Sequence, residues 1–508
     1  MRLIAIIAIA SVLVAAIVLR FLARSPLWLD EAITTNIAAL PLRDIPGALR
    51  VDGAPPLTYV LLHVWISVFG SSTASVRALP ALLSLIALPL AYIAGGRIAR
   101  DRGPAATRVG AWGAVLLVAS SPFAARYATE ARMYSLQIVL VFAGIVALQS
   151  LIERPTWPRT FAVAACTAAL LYNHYWSLYL IAVVGLGCIA AWRFSDPDAR
   201  LAPRRAVLAL ILGSLAFVPW LPTLAYQMTH TGTPWGAPPA PPLAMAWMLI
   251  DFHGGDWWAA WPLVLASILL CALALFGRPE SPTLIQIDLR TVRGVRMMTL
   301  AAGATALLAL SIAWVLGAAV QVRYGAVVFP LVVLAVAFGL TAFRDRRIVV
   351  GLLIVFTGFG LVTSWHVVRA PRTQAGAVAA VMRADAKPGD LVLYCPDQLG
   401  PDASRLMPTG LVQRAFPDSS DPSRIDWTDY ATRMRSVAPT TFANDALALA
   451  GPGTTIWVVW QEGYRHVTGT CDAILDRLSE VRRRKDRFFP DSRYGEAQGL
   501  AEFAGSSR

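Results

Sequence analysis

The sequence predicts an all-α polytopic membrane protein of about eleven transmembrane helices, carrying a small C-terminal extracytoplasmic α/β domain. Three observations predict it. Of the 508 residues, 56% are hydrophobic and only 15% charged, and the mean hydropathy is +0.57. Apolar runs of about 20 residues, the length that crosses a bilayer core, recur through the first three quarters of the chain. From about residue 370 the composition turns mixed polar, which separates an expected transmembrane domain, 1–369, from a soluble domain, 370–508.

The elements follow in order. Leu3 to Leu22 is an apolar run behind Arg2. It is long for a signal-peptide core and no small-x-small cleavage site follows, so it reads as a retained first span. The outer loop 23–74 comes next and contains a second apolar run from Leu57 to Phe69, interrupted by His63. That run is too short to cross and reads as an interfacial or re-entrant helix. Further spans are expected at 75–97, 109–125, 133–151, 160–172, 175–192, 206–224, 257–276, 297–318, 325–343 and 348–367.

Charge bias decides this topology. With a cytoplasmic N-terminus, the cytoplasmic loops hold Arg97, Arg100, Arg102 and Arg108, then Arg154 and Arg159, then Arg193, Arg200, Arg204 and Arg205. Arg278, Arg290, Arg293 and Arg296 follow, then Arg344, Arg346 and Arg347, while the outer 226–256 loop has no Lys or Arg. Letting 57–69 cross would flip every loop against the positive-inside rule. The net charge of +13 therefore reads as topology signal and lipid-headgroup contact rather than nucleic-acid binding. Only Lys387 and Lys485 among the 44 basic residues are lysines, a bias of GC-rich bacterial genomes that suggests a bacterial cytoplasmic membrane. There is no Gly-rich nucleotide loop, no Walker sequence and no heptad repeat.

In the polar C-terminal region, Leu391–Tyr394 and Thr455–Trp460 read as strands, and 471–485 as a helix with an Arg-rich end. Cys166, Cys188 and Cys271 lie in apolar runs as packing residues. Cys395 and Cys471 lie in the polar region without zinc-ligand spacing, and can pair as a disulfide if that region is extracytoplasmic.

This topology gathers the scarce polar clusters on the outer face. They are Asp30-Glu31, the 52–63 segment with Asp52, Tyr59 and His63, the stretch from Arg126 to Tyr134 with Glu130 and Arg132, Asn173-His174-Tyr175-Trp176, and Gln321-Val322-Arg323-Tyr324. The aromatic- and Pro-rich 226–261 loop joins them. Nucleotide sugars are cytoplasmic, so an outer-face transferase needs a donor carried on a lipid. A polyprenyl-phosphate sugar needs an apolar groove for its chain and arginines for its phosphate. Arg132 and Arg323, beside Tyr134 and Tyr324, are the candidates for donor phosphate and lipid, with headgroup snorkelling as the bland reading. Transfer also needs a base for the acceptor hydroxyl, and Asp30 is the first choice with Glu31 next. The lipid phosphate already leaves well, so no second acid is demanded. Asp52, Tyr59, Glu130 and His174 are candidates for acceptor or sugar contact, with an Arg126 or Arg132 ion pair as the bland reading for Glu130 and a hydrogen-bonded core position for His63. A transporter of lipid-linked glycans is the rival reading, but the span interiors from 75 to 367 are nearly free of charge.

Four stretches in this order resemble the C-type glycosyltransferase superfamily: Trp28-Leu29-Asp30-Glu31-Ala32, the run from Asp52 to His63, the run from Ala125 to Leu136, and the run from Gln321 to Leu331. The nearest branch is the protein O-mannosyltransferase and aminoarabinose-transferase group, and the resemblance covers about residues 1–367. It implies a polyprenyl-phosphate sugar donor, a catalytic acidic residue in the first outer loop (Asp30), and arginines that hold the phosphate. It implies no cofactor and no required metal, although Asp30, Glu31 and Asp52 could bind a divalent cation. The implied acceptor is a glycan, a glycolipid or a protein of the cell envelope. The sequence departs from the pattern at Ala54, where many relatives carry His before the proline pair.

Overall fold

The computed structural model describes residues 2–233, 236–255, 257–282, 284–290 and 293–505; Pro234, Trp235 and Asp256 of the 226–261 loop lie outside them. The chain divides into two compact units. One comprises Met1–Ala23, Arg77–Leu221 and Ala237–Val368, and the other Arg24–Val76, Pro222–Gly236 and Arg369–Arg508.

The first unit is built of apolar helices. Among the described residues seven helices are long and apolar enough to cross a membrane, or eight if Pro104–Ser120 and Pro122–Ala128, bent by 56°, form one span. Shorter apolar helices cover Ile6–Leu19, Leu57–Phe69 and Phe329–Ala342, the second of these in the other unit. Each of the eleven stretches expected to span thus carries helix, although only seven or eight meet the length and hydropathy of a crossing by themselves. The chain is a multi-pass membrane protein. Its spans leave large apolar side chains exposed, such as Leu186, Leu265 and Ile354, each about two-thirds exposed, as lipid contact requires.

The loop arginines also tie helix ends together. Arg97 Nη1 donates to Val146 O at 3.0 Å and Ser150 Oγ at 2.6 Å, Arg100 pairs with Glu153 at 3.0 Å, and Arg102 reaches Gly277 O at 2.7 Å. Arg20 is 1% exposed and donates to Ala119 O at 3.0 Å and Val118 O at 3.1 Å, satisfying the carbonyls left open where the Pro104–Ser120 helix ends. A hairpin of β1 (Gly277–Pro279) and β2 (Ile285–Ile287) lies between two spans.

Helices Thr73–Ile98 and Pro104–Ser120 cross backbone to backbone. A Cβ on Gly95 would stand 2.4 Å from Gly110 O, and one on Gly110 2.5 Å from Gly95 O. Such small-residue crossings replace the hydrophobic effect, which is weak between helices in lipid. Gly110→Ala is expected to cost about 1–3 kcal/mol, read as a lowered unfolding midpoint in detergent. Gly351→Ala, where a Cβ meets nothing within 4 Å, should leave the midpoint unchanged.

The second unit contains a five-stranded sheet in the order β4-β3-β5-β7-β6: β3 (Leu391–Cys395), β4 (Val412–Ala415), β5 (Ile456–Trp460), β6 (Arg484–Phe488) and β7 (Gly499–Phe503). Strands β3 and β5 are parallel neighbours and buried throughout, which matches their unbroken apolar sequences. Val392, Tyr394, Trp457, Val459 and Leu500 pack on Ala375, Val378 and Met382 of the Ala375–Asp385 helix. Cys395, at the end of β3, is disulfide-bonded to Cys471, with Cα atoms 5.6 Å apart.

One expected element is corrected. The 471–485 helix ends at Ser479, and the Arg-rich stretch turns into the edge strand β6. There Arg487 meets Glu502 of β7 at 2.8 Å, and Arg484 meets Asp486 at 2.8 Å. Arg484 and Arg487 gain carboxylate partners on the strand, and a charged edge also resists pairing with other chains.

Candidate active site

The expected site residues fall in both units, and each group is built within its own. In the first unit the Pro122–Ala128 helix starts at Ser121, whose side chain accepts from Ala124 N at 3.2 Å, and a short turn leads to Tyr134–Glu153. That turn carries Glu130 and Arg132. Glu130 is 1% exposed and pairs with Arg126 at 3.3 Å, one helical turn back. Between Trp157–Asn173 and Ser177–Phe194 the chain turns through His174, held by Asn173, which donates to Gln137 Oε1 at 2.9 Å and Met133 O at 3.2 Å.

Aromatic rings join these pieces. Phe123 lies 4.6 Å from Tyr127, Tyr127 4.8 Å from Tyr134, Tyr134 5.8 Å from His174, and His174 5.3 Å from Tyr324, which also meets Trp176 at 5.3 Å. The chain of rings starts at a small, mostly apolar cleft, whose wall includes Phe252, Leu263, Phe329 and Val333. Phe123 touches Phe252 at 4.9 Å and Phe329 at 5.0 Å at that end.

Electrostatics gather the arginines here. Burial, with Arg132 and Arg323 nearby, pushes the His174 imidazole down to about 3, so the ring is neutral. Its Nδ1 accepts from Trp176 N at 3.1 Å, which assigns the ring proton to Nε2 and makes that atom a donor. Asp251, at the end of the Pro241–Asp251 helix, is a carboxylate that the motif reading passed over. Burial lifts it to about 6 against the pull of Arg126 and Arg323, with Glu130 adding to the rise. Its sequence signal was slight: one of two acids in the 226–261 loop. The first unit therefore brings together Arg132, Arg323, Tyr134, Tyr324, His174 and Glu130.

In the second unit Asp30 and Glu31 occupy the first turn of helix Leu29–Ala38, where acidic residues complement the helix dipole. Glu31 is fully buried and pairs with Arg372 at 3.5 Å. Asp30 is half-buried as a residue, and its Oδ2 is buried. Asn36 further along donates to Ser423 O at 2.6 Å and accepts from Arg405 Nη1 at 2.5 Å. Tyr59 is fully buried and donates to Asp52 at 2.8 Å, and His63 Nδ1 lies 2.8 Å from Ala38 O, a hydrogen-bonded packing position. Among the described residues no three His, Cys, Asp or Glu side chains are grouped to hold a metal ion.

No sequence-family profile and no curated protein sequence matches the chain. Its architecture is matched by solved structures. ArnT from Cupriavidus metallidurans bound to undecaprenyl phosphate superposes with a TM-score of 0.60 at 13% identity, over 98% of this chain and 97% of that one. The apo state of the same protein gives 0.63 at 12% identity, over the same shares. The chain has the ArnT fold. That is the fold which the resemblance of the motifs implies. The ArnT likeness runs further than the motifs, which end near residue 367, and takes in the C-terminal sheet as well.

Proposed function

We propose that the chain is an integral membrane glycosyltransferase that moves one sugar from a polyprenyl-phosphate donor to a cell-envelope acceptor hydroxyl, with inversion at the anomeric carbon. The observation that carries this reading is the clustering of Arg132 and Arg323 around neutral His174, at one end of an aromatic path that begins at an apolar cleft. Two arginines near a buried histidine, in the unit that also holds an apolar cleft, suit an anionic head on a hydrocarbon chain. The fold supports it too, since the ArnT structure it matches holds undecaprenyl phosphate. The Cys395–Cys471 disulfide supports an extracytoplasmic second unit, because such bonds persist in oxidising compartments.

In this mechanism Asp30 accepts the proton of the acceptor hydroxyl as its oxygen attacks the anomeric carbon. The bond from that carbon to the phosphate oxygen breaks, and polyprenyl phosphate leaves. A single displacement inverts the centre, and Asp30 then returns the proton to solvent. Arg132 and Arg323 hold the phosphate in ground and transition states, and His174 offers its Nε2 proton. Glu31, committed to Arg372, takes a structural part.

The test incubates the full-length protein in lipid with a panel of undecaprenyl-phosphate pentoses and hexoses and an envelope extract, comparing wild type with Asp30→Asn. Donor consumed by wild type alone supports the reading. Donor bound but never consumed, with the variant identical, favours a transporter of lipid-linked glycans instead. Arg323→Ala is expected to raise the donor KM about 10- to 150-fold, the worth of a charge-assisted hydrogen bond; an unchanged KM would remove Arg323 from the phosphate site.

A further inference from the structure

The Leu29–Ala38 helix begins without a cap of its own. Its N-cap residue is Trp28, whose side chain makes no capping hydrogen bond. The open Leu29 N–H donates instead to Glu496 Oε2 at 3.1 Å, from a residue 467 positions away. Asp30 is the next residue, and its charge interacts with Glu496.

Glu496 is firmly placed. Its N–H donates to Arg372 O at 2.8 Å, and its carbonyl accepts from Gln374 N at 3.0 Å. Its side chain is hydrogen-bonded to a second buried carboxyl, Asp402. Asp402 is 1% exposed and accepts from Thr373 Oγ1 at 2.5 Å, Gln498 Nε2 at 2.9 Å and Ala403 N at 2.8 Å. Two carboxyls bonded to each other must share a proton. Three donors hold Asp402 as the anion, which assigns the proton to Glu496. Glu496 Oε1 is buried and accepts from no group among the described residues, as fits an O–H directed at Asp402. Burial beside Asp402 also holds the Glu496 carboxyl well above the usual carboxylate range.

We propose that Glu496 is a positioning residue for Asp30: as a neutral acid tied to Asp402, it caps the first turn of the helix that carries the base. The role rests on the transferase reading, and it gives the C-terminal region a part in the chemistry without contact to substrate. A neutral acid at this point accepts from Leu29 N–H while placing no second negative charge beside Asp30.

This predicts an inverted order of conservative substitutions. Gln reproduces the protonated acid, since its amide donates to Asp402 and its oxygen accepts from Leu29. Asp keeps the acid but is one methylene short. Full-length variants in lipid are assayed with the undecaprenyl-phosphate sugar that wild type consumes. Glu496→Gln should hold kcat within about threefold of wild type. Glu496→Asp should lose about 10- to 100-fold in kcat, the cost of misplacing a reacting group by about 1 Å, with the donor KM unchanged. A mere structural tie would alter the folded fraction and the unfolding midpoint but not kcat per folded protein. Wild-type kcat in Glu496→Asp, or Glu496→Gln no better than Glu496→Asp, overturns the role. A wild type inert towards every donor overturns the transferase reading itself, and this role with it.

Discussion

Asp30→Asn is expected to lower kcat by about 10²- to 10⁴-fold, the usual contribution of a positioned general base, while the donor KM changes little. The asparagine preserves volume and can still accept hydrogen bonds, but it cannot take the acceptor proton. The donor is held by other groups, Arg132 and Arg323 of the first unit, so binding and chemistry should separate cleanly. The measurement is steady-state transfer of label from the lipid donor, alongside direct donor binding to the same preparation. Equal loss of binding and turnover would mean that Asp30 belongs to the donor pocket rather than to proton transfer. Turnover within a factor of two of wild type would move the base to another carboxylate, with Asp251, close to Arg126 and Arg323, the next to test.

Arg372→Met is expected to destabilise the second unit by about 3–5 kcal/mol. Glu31 and the Arg372 side chain are 0% and 1% exposed, and their charged atoms lie 3.5 Å apart. Removing the cation takes a charge partner from a carboxylate that is fully buried. The penalty is desolvation rather than lost Coulomb attraction, so a second substitution that neutralises the acid should restore most of it. The Glu31→Gln and Arg372→Met double variant is therefore expected to unfold within about 1–2 kcal/mol of wild type, because a buried pair replaced as a whole costs little. Unfolding midpoints of the four proteins in one detergent give the comparison. Equal midpoints for Arg372→Met and wild type would show that the pair adds nothing.

Much of the fold was legible because its signals are local. An apolar helix is declared by the length and apolarity of one continuous stretch. The Leu57–Phe69 helix was read as too short to cross from the same rule, and its 13 residues are helical. The Arg126–Glu130 pair was open to reading because it spans one helical turn. The 471–485 segment misled because its first half is helical and its arginines suit a helix C-terminus as well as a strand. Only the pairing of Arg484–Phe488 with β7 shows that the chain has left the helix there.

The carboxylates mark the same divide more sharply. The side-by-side Asp30 and Glu31 are ranked on paper only by the motif resemblance, and their own neighbours do not show which of them is buried. Helical geometry turns successive residues through about 100°, so the two acids meet different surroundings, Glu31 fully buried and Asp30 half-buried. Which faces inward depends on Arg372, more than three hundred positions on, and the cap at Leu29 depends on Glu496. The sequence by itself determined the apolar helices, the short one among them, the two central strands and the identity of the polar clusters, because hydrophobicity and helix or strand period act over neighbouring residues. Only the tertiary structure decided that Glu31 is neutralised by Arg372, that Glu496 and Asp402 share a proton beneath Asp30, and that Asp251 joins the arginines. A buried charge is tolerated only with a partner, and the chain supplies those partners from segments that sequence proximity does not connect.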